Sequence, residues 1–266
     1  MPTLNEIAAA IEEYAPLSLQ ESWDNSGWQI APAERTAPCT GVMLCLDVSP
    51  CVISEAKALG CNLVVSHHPL IFKGLKSITG STPQEQAVIE AIRAGIAVYS
   101  SHTALDSSPT EGTSLTMGRQ LGLTDMRPLA PNTAADGAGL GVIGNVGEGH
   151  ITPAQIIAKV KEVYKAPYVR VTAGTGCEEL TRIALCTGSG GEFIGTAISA
   201  GAQAYITSDV RYHDFLDLGK GILIIDTSHY ESEICTKSIF SRIISRKFPN
   251  FAVHTASCEH NPATIV

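Results

Sequence analysis

The chain has 266 residues, enough for two ordinary domains, and its 44% hydrophobic and 17% charged content belongs to packed globular proteins rather than disordered or fibrous ones. With 18 basic and 26 acidic residues the net charge is −8, and no run of Lys or Arg forms the stripe that duplex nucleic acid requires, so nucleic acid is disfavoured as a partner. No apolar run is long enough to span a bilayer, the first basic residue is Arg35, and eight Cys are scattered without a C-x-x-C pair, which together predict a soluble, cytoplasmic protein without a secretory leader. Most of the cysteines sit inside apolar runs, as Cys45 and Cys186 do, where a free thiol packs as a small hydrophobe.

Thr3-Leu4-Asn5-Glu6 is a capping-box pattern, and Leu4, Ile7, Ala8 and Ile11 follow at helical spacing, predicting an amphipathic helix that ends near Pro16. After a polar turn at Trp23-Asp24-Asn25, residues 41–48 read as a buried strand, followed by a helix through Glu55 and Leu59. A strand from Asn62, a helix over Pro83 to Ala94 and a strand from Ile96 continue the alternation, which implies a largely parallel sheet. Between Pro128 and Gly149 Gly and Pro are frequent and no helical period is visible, so a domain junction or crossover is placed there. Thr152-Pro153-Ala154-Gln155 starts a helix reaching Tyr164, and strands at 168–172 and 182–186 lead through a glycine-rich turn to a helix ending at Ala200. Strands at 204–208 and 222–226, a helix over 231–245 and a short strand at 251–255 complete the chain. The expected fold is α/β, with two α/β domains of related βα topology and mixed, largely parallel sheets: residues 1–125, completed by 230–266, and residues 126–229.

Four strands share one template, an apolar run with His, Asp or Glu at its carboxyl end. They lead to His67 and His68, to His102 and Asp106, to Asp209 and His213, and to His229 and Glu233. Ligand sites of open α/β sheets lie outside the carboxyl ends of the strands, so donors distant in sequence can reach one crevice. Adjacent imidazoles at His67-His68, stiffened by Pro69, can grip cations, although the dipeptide alone reads equally as polar turn residues. His229 and Glu233 fall on one face if a helix starts there, and His102 and Asp106 repeat the spacing.

Imidazole with carboxylate suits zinc, iron, manganese or cobalt, and the absence of thiolates from these clusters argues against a structural zinc site of the Cys type. If His67, His68, Asp106, His229 and Glu233 bind two divalent ions with one carboxylate bridging, each ion receives about three protein bonds and keeps a position for water. His102, Asp209 and His213 are then outer partners or proton shuttles. The turn at Gly188-Ser189-Gly190 either anchors a substrate phosphate or carboxylate through its amides or is a tight βα turn. Trp23, Asp24 and Asn25 either border a substrate pocket or simply pack and cap their own turn.

Trp23-Asp24-Asn25 with Gly27, His67-His68-Pro69-Leu70-Ile71-Phe72, Ser101-His102-Thr103 with Leu105-Asp106, Ser208-Asp209 with Tyr212-His213-Asp214, and Asp226 with His229-Tyr230 and Glu233 resemble, in order and over nearly the whole chain, the Nif-three-like dinuclear metal-centre family. Its bacterial members are often called GTP cyclohydrolase I type 2 homologues. The resemblance implies two α/β domains per subunit, a ring-shaped homohexamer and two metal ions per subunit inside the ring. The family's ligand positions fall on the same five residues, and the short spacing between Leu123 and Thr181 matches the form without an inserted domain.

The leading expectation is a metal-dependent hydrolase in which activated water attacks an electrophilic carbon of a small cyclic amide, amidine or nucleotide-like substrate, with His213 or His102 moving protons. The alternatives are a metal-dependent phosphoesterase and a non-enzymatic metal-binding or adaptor ring protein, since fold and site geometry do not fix a reaction.

Overall fold

The capping box at Thr3 opens the first helix as its sequence requires: the Thr3 hydroxyl accepts the Glu6 amide at 3.2 Å and the Glu6 carboxylate takes the Thr3 amide at 2.7 Å. The structure is a computed structural model that describes residues 1–147, 149–172 and 178–264. In chain order the elements of its first half are α1 (Leu4–Glu12), β1 (Gly27–Ile30), β2 (Val42–Cys45), α2 (Pro50–Ala58), β3 (Leu63–Ser66), α3 (Pro83–Ala94), β4 (Ala97–Ser100) and α4 (Thr103–Asp106). Then come α5 (Thr113–Gln120), β5 (Leu123–Pro131), β6 (Gly139–Val146), α6 (Pro153–Tyr164), β7 (Arg170–Val171), β8 (Arg182–Ser189) and α7 (Ile194–Ser199). β9 (Ala204–Ser208), α8 (Tyr212–Leu218), β10 (Leu223–Thr227), α9 (His229–Glu233), α10 (Cys235–Lys247) and β11 (Val253–Thr255) finish the chain.

Two compact units result, Met1–Leu105 with Thr236–Val266, and Asp106–Cys235. The junctions therefore fall at 105/106 and 235/236, against 125/126 and 229/230 in the sequence reading. Met117 and Leu121, in and just after α5, enter the same apolar core as Leu185 and Ile206, so residues 106–125 go with the second unit. α9 packs on β8 and β9, which keeps it there too.

In the first unit the strand order is β1-β4-β3-β2-β11, parallel throughout except for the β1–β4 pair. Met43, Cys45, Val64 and Val98 pack with Val52, Ile53 and Ala56 of α2 and Ala87, Val88 and Ala91 of α3. Tyr99, one residue on from Val98, faces the other way and its hydroxyl donates to Glu12, the last residue of α1, at 2.8 Å. Burial on both faces explains why these strands read as uninterrupted apolar runs.

The second sheet has the order β5-β6-β8-β9-β10-β7, parallel through β8, β9 and β10 and antiparallel at both flanks. Ile183, Leu185, Ala204, Ile206, Leu223 and Ile225 enter the core covered by α5 and α6, whereas Ala184, Cys186, Tyr205 and Ile224 enter the core on the opposite face. This is the period-two alternation of a sheet covered on both sides.

The stretch from Pro128 to Gly149, taken from composition as a junction or crossover, contains most of a β-hairpin, β5 with β6. Its glycines are what a crowded strand needs: Gly141 has φ +63, and a Cβ there would lie 2.9 Å from the Leu185 carbonyl oxygen. The helix expected over 231–245 is two helices, α9 and α10.

The cysteines divide. Cys39, Cys45, Cys61 and Cys186 are buried free thiols, but Cys51 and Cys258 form a disulfide, a pairing that their spacing did not announce. Cys177 lies outside the described residues. Among the described residues no helix is long and apolar enough to cross a membrane.

Candidate metal centre

β3 and β4 are parallel neighbours with Ser66 opposite Ser100, so the residues just past both ends emerge on the same side of the first unit. His67, His68 and His102 meet there, with ring centroids 5.2 to 5.5 Å apart and potential ligand atoms within 4.8 Å of one another. His67 is fully buried, and its Nδ1 lies 3.0 Å from the Ser101 carbonyl oxygen. A carbonyl only accepts, so Nδ1 carries a proton, and Nε2 is the ring atom that could serve as a ligand. His68 Nδ1 is held in the same way by Asp47 Oδ1 at 2.8 Å, and His102 Nδ1 by Asp24 Oδ1 at 2.8 Å.

Asp24, read from the sequence either as bordering a substrate pocket or as capping its own turn, holds His102. Its side chain is closed off from solvent, and its second oxygen accepts the Thr103 amide at 3.0 Å and the Thr103 hydroxyl at 2.6 Å. Burial pushes this carboxyl up, but the His102 bond and charge and the Thr103 hydroxyl outweigh it and hold the group far below the usual carboxylate range. Asn25 Nδ2 donates to the Ile71 carbonyl at 2.7 Å, fixing the loop that follows His67-His68. Trp23 is exposed and stands edge-on to both Phe72 and His102, with centroids 6.1 Å apart in each case.

The second unit gathers carboxylates. At the end of β9, Asp209 adopts a left-handed backbone with φ 56, and its Oδ2 lies 2.6 Å from His229 Nδ1. His229 begins α9, and one turn later Glu233 Oε2 lies 2.8 Å from its Nε2, as the i, i+4 spacing predicts. Burial alone would push the His229 ring down; the hydrogen bonds and charges of Asp209 and Glu233 override it and hold the ring up at about 10. The His229 bond in turn keeps the Asp209 carboxyl below its usual range. Two carboxylates around one imidazole demand a cation, either the ring's own proton or a metal ion.

Asp106 joins this end of the sheet through hydroxyls. Thr113 Oγ1 donates to Asp106 Oδ1 at 2.5 Å and lies 2.8 Å from Thr187 Oγ1, and Ser189, two residues after Thr187, closes β8. The Gly188 amide donates to Ser232 Oγ at 2.9 Å and the Gly190 amide to Thr207 Oγ1 at 3.0 Å, so both are engaged inside the turn. Gly188 has φ +69, and a Cβ there would collide with Glu233 Oε1. Cys186, fully buried nearby, has its thiol pushed well up by burial and then by the charges of Asp106 and Glu233. His213 stands in the first turn of α8, edge-on to the Tyr212 ring at 5.3 Å. Asp226, at the template end of β10, pairs with Arg170.

Two holders escaped the sequence reading. Asp47 follows the apolar run of β2 and so repeats the same template a fifth time, a signal that was present. The Ser101 carbonyl is a backbone group and left none.

The fold and these side chains define the class: an α/β protein of two units, the first carrying a cluster of three imidazoles that could hold a metal ion and the second a His229–Glu233 pair. The particular family follows from similarity, since the profile of the Duf34/NIF3 (NGG1p interacting factor 3) family matches residues 2–262 and the chain belongs to it. A Lactococcus lactis protein named GTP cyclohydrolase 1 type 2 homolog is 34% identical over 252 residues, covering 93% of this chain and 92% of its own length. The Schizosaccharomyces pombe protein NIF3 homolog is 30% identical over 239 residues, covering 86% of this chain and 84% of its own. The crystal structure of a Bacillus cereus protein related to NIF3 superimposes with a TM-score of 0.87 at 22% identity, covering 100% of this chain and 99% of that one, which shows the shared fold.

Proposed function

We propose that this protein binds two divalent metal ions per subunit through His67, His68, Asp106, His229 and Glu233, and that it is a metal-dependent hydrolase of a small cyclic amide, amidine or nucleotide-like substrate. The observation that carries the reading is the shared posture of the imidazoles: His67, His68, His102 and His229 each turn Nδ1 onto a carbonyl or carboxylate oxygen. That arrangement orients a ring and raises its basicity as a metal ligand. Imidazole and carboxylate donors without thiolate fit zinc, iron, manganese or cobalt. Bound ions of this kind supply Lewis acidity and acidify coordinated water.

Within the protein's own residues, Asp24, Asp47 and Asp209 fix the rings, and His102, coupled to buried Asp24, is placed to take or return a proton. Trp23, exposed beside His102, offers a face for a flat ring. The name of the Lactococcus relative, GTP cyclohydrolase 1 type 2 homolog, supports a nucleotide-like substrate. The protein is proposed to work in the cytoplasm as a homohexameric ring; the resemblance implies the ring, and sedimentation tests it.

The deciding experiment is metal analysis of the purified protein followed by a screen of nucleotides, pterin precursors and phosphoesters, with His67→Ala and Glu233→Ala alongside. Bound divalent metal and turnover lost in both variants are expected. Turnover that survives both substitutions sinks the metal-centred mechanism; turnover of phosphoesters alone transfers the reading to a phosphoesterase.

A further inference from the structure

The Cys51–Cys258 disulfide joins residues 207 positions apart within the first unit. Cys51 is the second residue of α2 and is exposed, and Cys258 lies three residues beyond β11. Next to it, Glu259 turns its carboxylate under the segment, where Oε1 accepts the Leu46 amide at 2.9 Å and the Asp47 amide at 2.7 Å. Lys237 pairs with Glu259 at 2.9 Å, both side chains being largely shielded from solvent.

Leu46 and Asp47 both hold His68. The Leu46 carbonyl accepts the His68 amide at 3.0 Å, and Asp47 Oδ1 holds the His68 ring at Nδ1, 2.8 Å away. A continuous series of bonds thus leads from the disulfide to both the backbone and the ring of a candidate ligand. Apart from the disulfide, the strap at 257–258 is tied to α2 by Glu55, which accepts the Ser257 hydroxyl at 2.7 Å and the Ser257 and Cys258 amides at 3.0 and 3.2 Å. Those bonds involve an exposed loop and compete with water, so they hold weakly by themselves.

We infer that the Cys51–Cys258 disulfide is a redox-sensitive clamp that sets the orientation of His68 through Glu259 and Asp47. The chemistry is thiol–disulfide exchange with a dithiol reductant. One thiolate of the reductant attacks a sulfur of the pair, the protein S–S bond breaks and a mixed disulfide forms. The second thiol then closes the reductant into its own cyclic disulfide. Two electrons pass to the protein and, with two protons, leave Cys51 and Cys258 as thiols. The position of Cys51 favours this reaction, because amide dipoles in the first turn of a helix stabilise a thiolate and make it a better leaving group. Reduction frees the strap, loosens the grip of Glu259 on the Leu46 and Asp47 amides, and lets the His68 ring leave its Asp47 partner.

The consequence for metal loading rests on the proposed function, but the clamp itself is a statement about loop order. The test is therefore hydrogen exchange of the Leu46 and Asp47 amides in the full chain, oxidised and after dithiothreitol, with zinc titration of both forms. Two additional titratable thiols, roughly tenfold faster exchange at these two amides with β3 unchanged, and roughly tenfold weaker zinc binding are expected on reduction, the low end of the range that disturbing a ligand's supporting partner produces. Cys51→Ser should match the reduced form, and Glu259→Gln should show fast exchange in either redox state. An unchanged thiol count, or identical exchange before and after reduction, overturns the clamp. Redox-dependent exchange in a protein that takes up zinc in neither form supports the clamp and defeats the metal reading.

Discussion

The Gly188 backbone and the Glu233 carboxylate occupy a space that no third group can share. Gly188 has φ +69 and would direct a Cβ onto Glu233 Oε1, with His229 Nε2 only 3.6 Å away. An alanine there must adopt a left-handed backbone and push the carboxylate aside. Left-handed geometry costs a non-glycine residue about 1–2 kcal/mol and overpacking about 1–3 more. Gly188→Ala is expected to lose about 2–5 kcal/mol in urea unfolding and to purify with less bound divalent metal. Wild-type stability and metal content in the variant would remove Gly188 from the site.

Asp24 serves His102, Thr103, Asn25 and Ser26 from a side chain that water does not reach, so its replacement reads directly on His102. Asp24→Asn keeps the shape but places an amide donor against groups that are themselves donors. Breaking a buried, charge-assisted arrangement of this kind costs about 3 kcal/mol. The expected result is that loss of stability together with a shift of the His102 proton from Nδ1 toward Nε2, seen in ring nitrogen NMR. A His102 tautomer that does not respond would show that Asp24 does not control the ring.

Much of this was legible in the chain, and the reasons differ by element. The capping boxes at Thr3 and Thr152 and the N-caps with Pro at Pro50 and Pro83 mark helix starts because they satisfy orphan amides locally. The alternation of strand and helix gave the parallel cores, and the template placed His67 and His68 just past β3 and His229 just past β10, since a residue that follows a buried strand emerges at that sheet's carboxyl edge. The β5–β6 hairpin was hidden because the glycines that let β6 fit beside β8 look like a linker. The role of Asp24 was hidden for another reason. A turn Asp that bonds to its own backbone and one that reaches 78 residues ahead to His102 have the same sequence signature.

Away from the site, Glu85 gives a stability term whose pH window can be stated. Its carboxylate accepts the Thr79 hydroxyl at 2.7 Å, the Thr79 amide at 2.8 Å and the Ser81 amide at 3.1 Å, so it closes the loop before α3. These bonds, the Thr79 hydroxyl first, pull its pKa from the usual 4.5 down to about 2. A depressed carboxyl stabilises the fold fully above the unfolded value and loses that contribution as pH falls through the folded one. Glu85→Gln should therefore melt below wild type at pH 7, with the gap narrowing below pH 4.5 and closed near pH 2. A gap that stays constant over that range would show that the loop is not held by the ionised carboxylate.

Asp209 is the most exposed test of the metal reading, because it supports a proposed ligand without being one. Its oxygen meets His229 Nδ1 at 2.6 Å from a left-handed backbone, a conformation that Asp and Asn tolerate and Ala does not. Asp209→Asn keeps the backbone and a carbonyl acceptor but removes the charge that helps keep His229 protonated or metallated. Asp209→Ala removes acceptor, charge and backbone tolerance together. Partners of this kind contribute about 10–100-fold to metal affinity, so zinc titration should show a loss of that size for Ala and a smaller one for Asn. The order of the two variants is the informative part: a purely structural Asp209 predicts that Asn, which keeps the turn, binds zinc like wild type, and a fall in affinity without a fall in melting temperature identifies the carboxylate's charge as the cause.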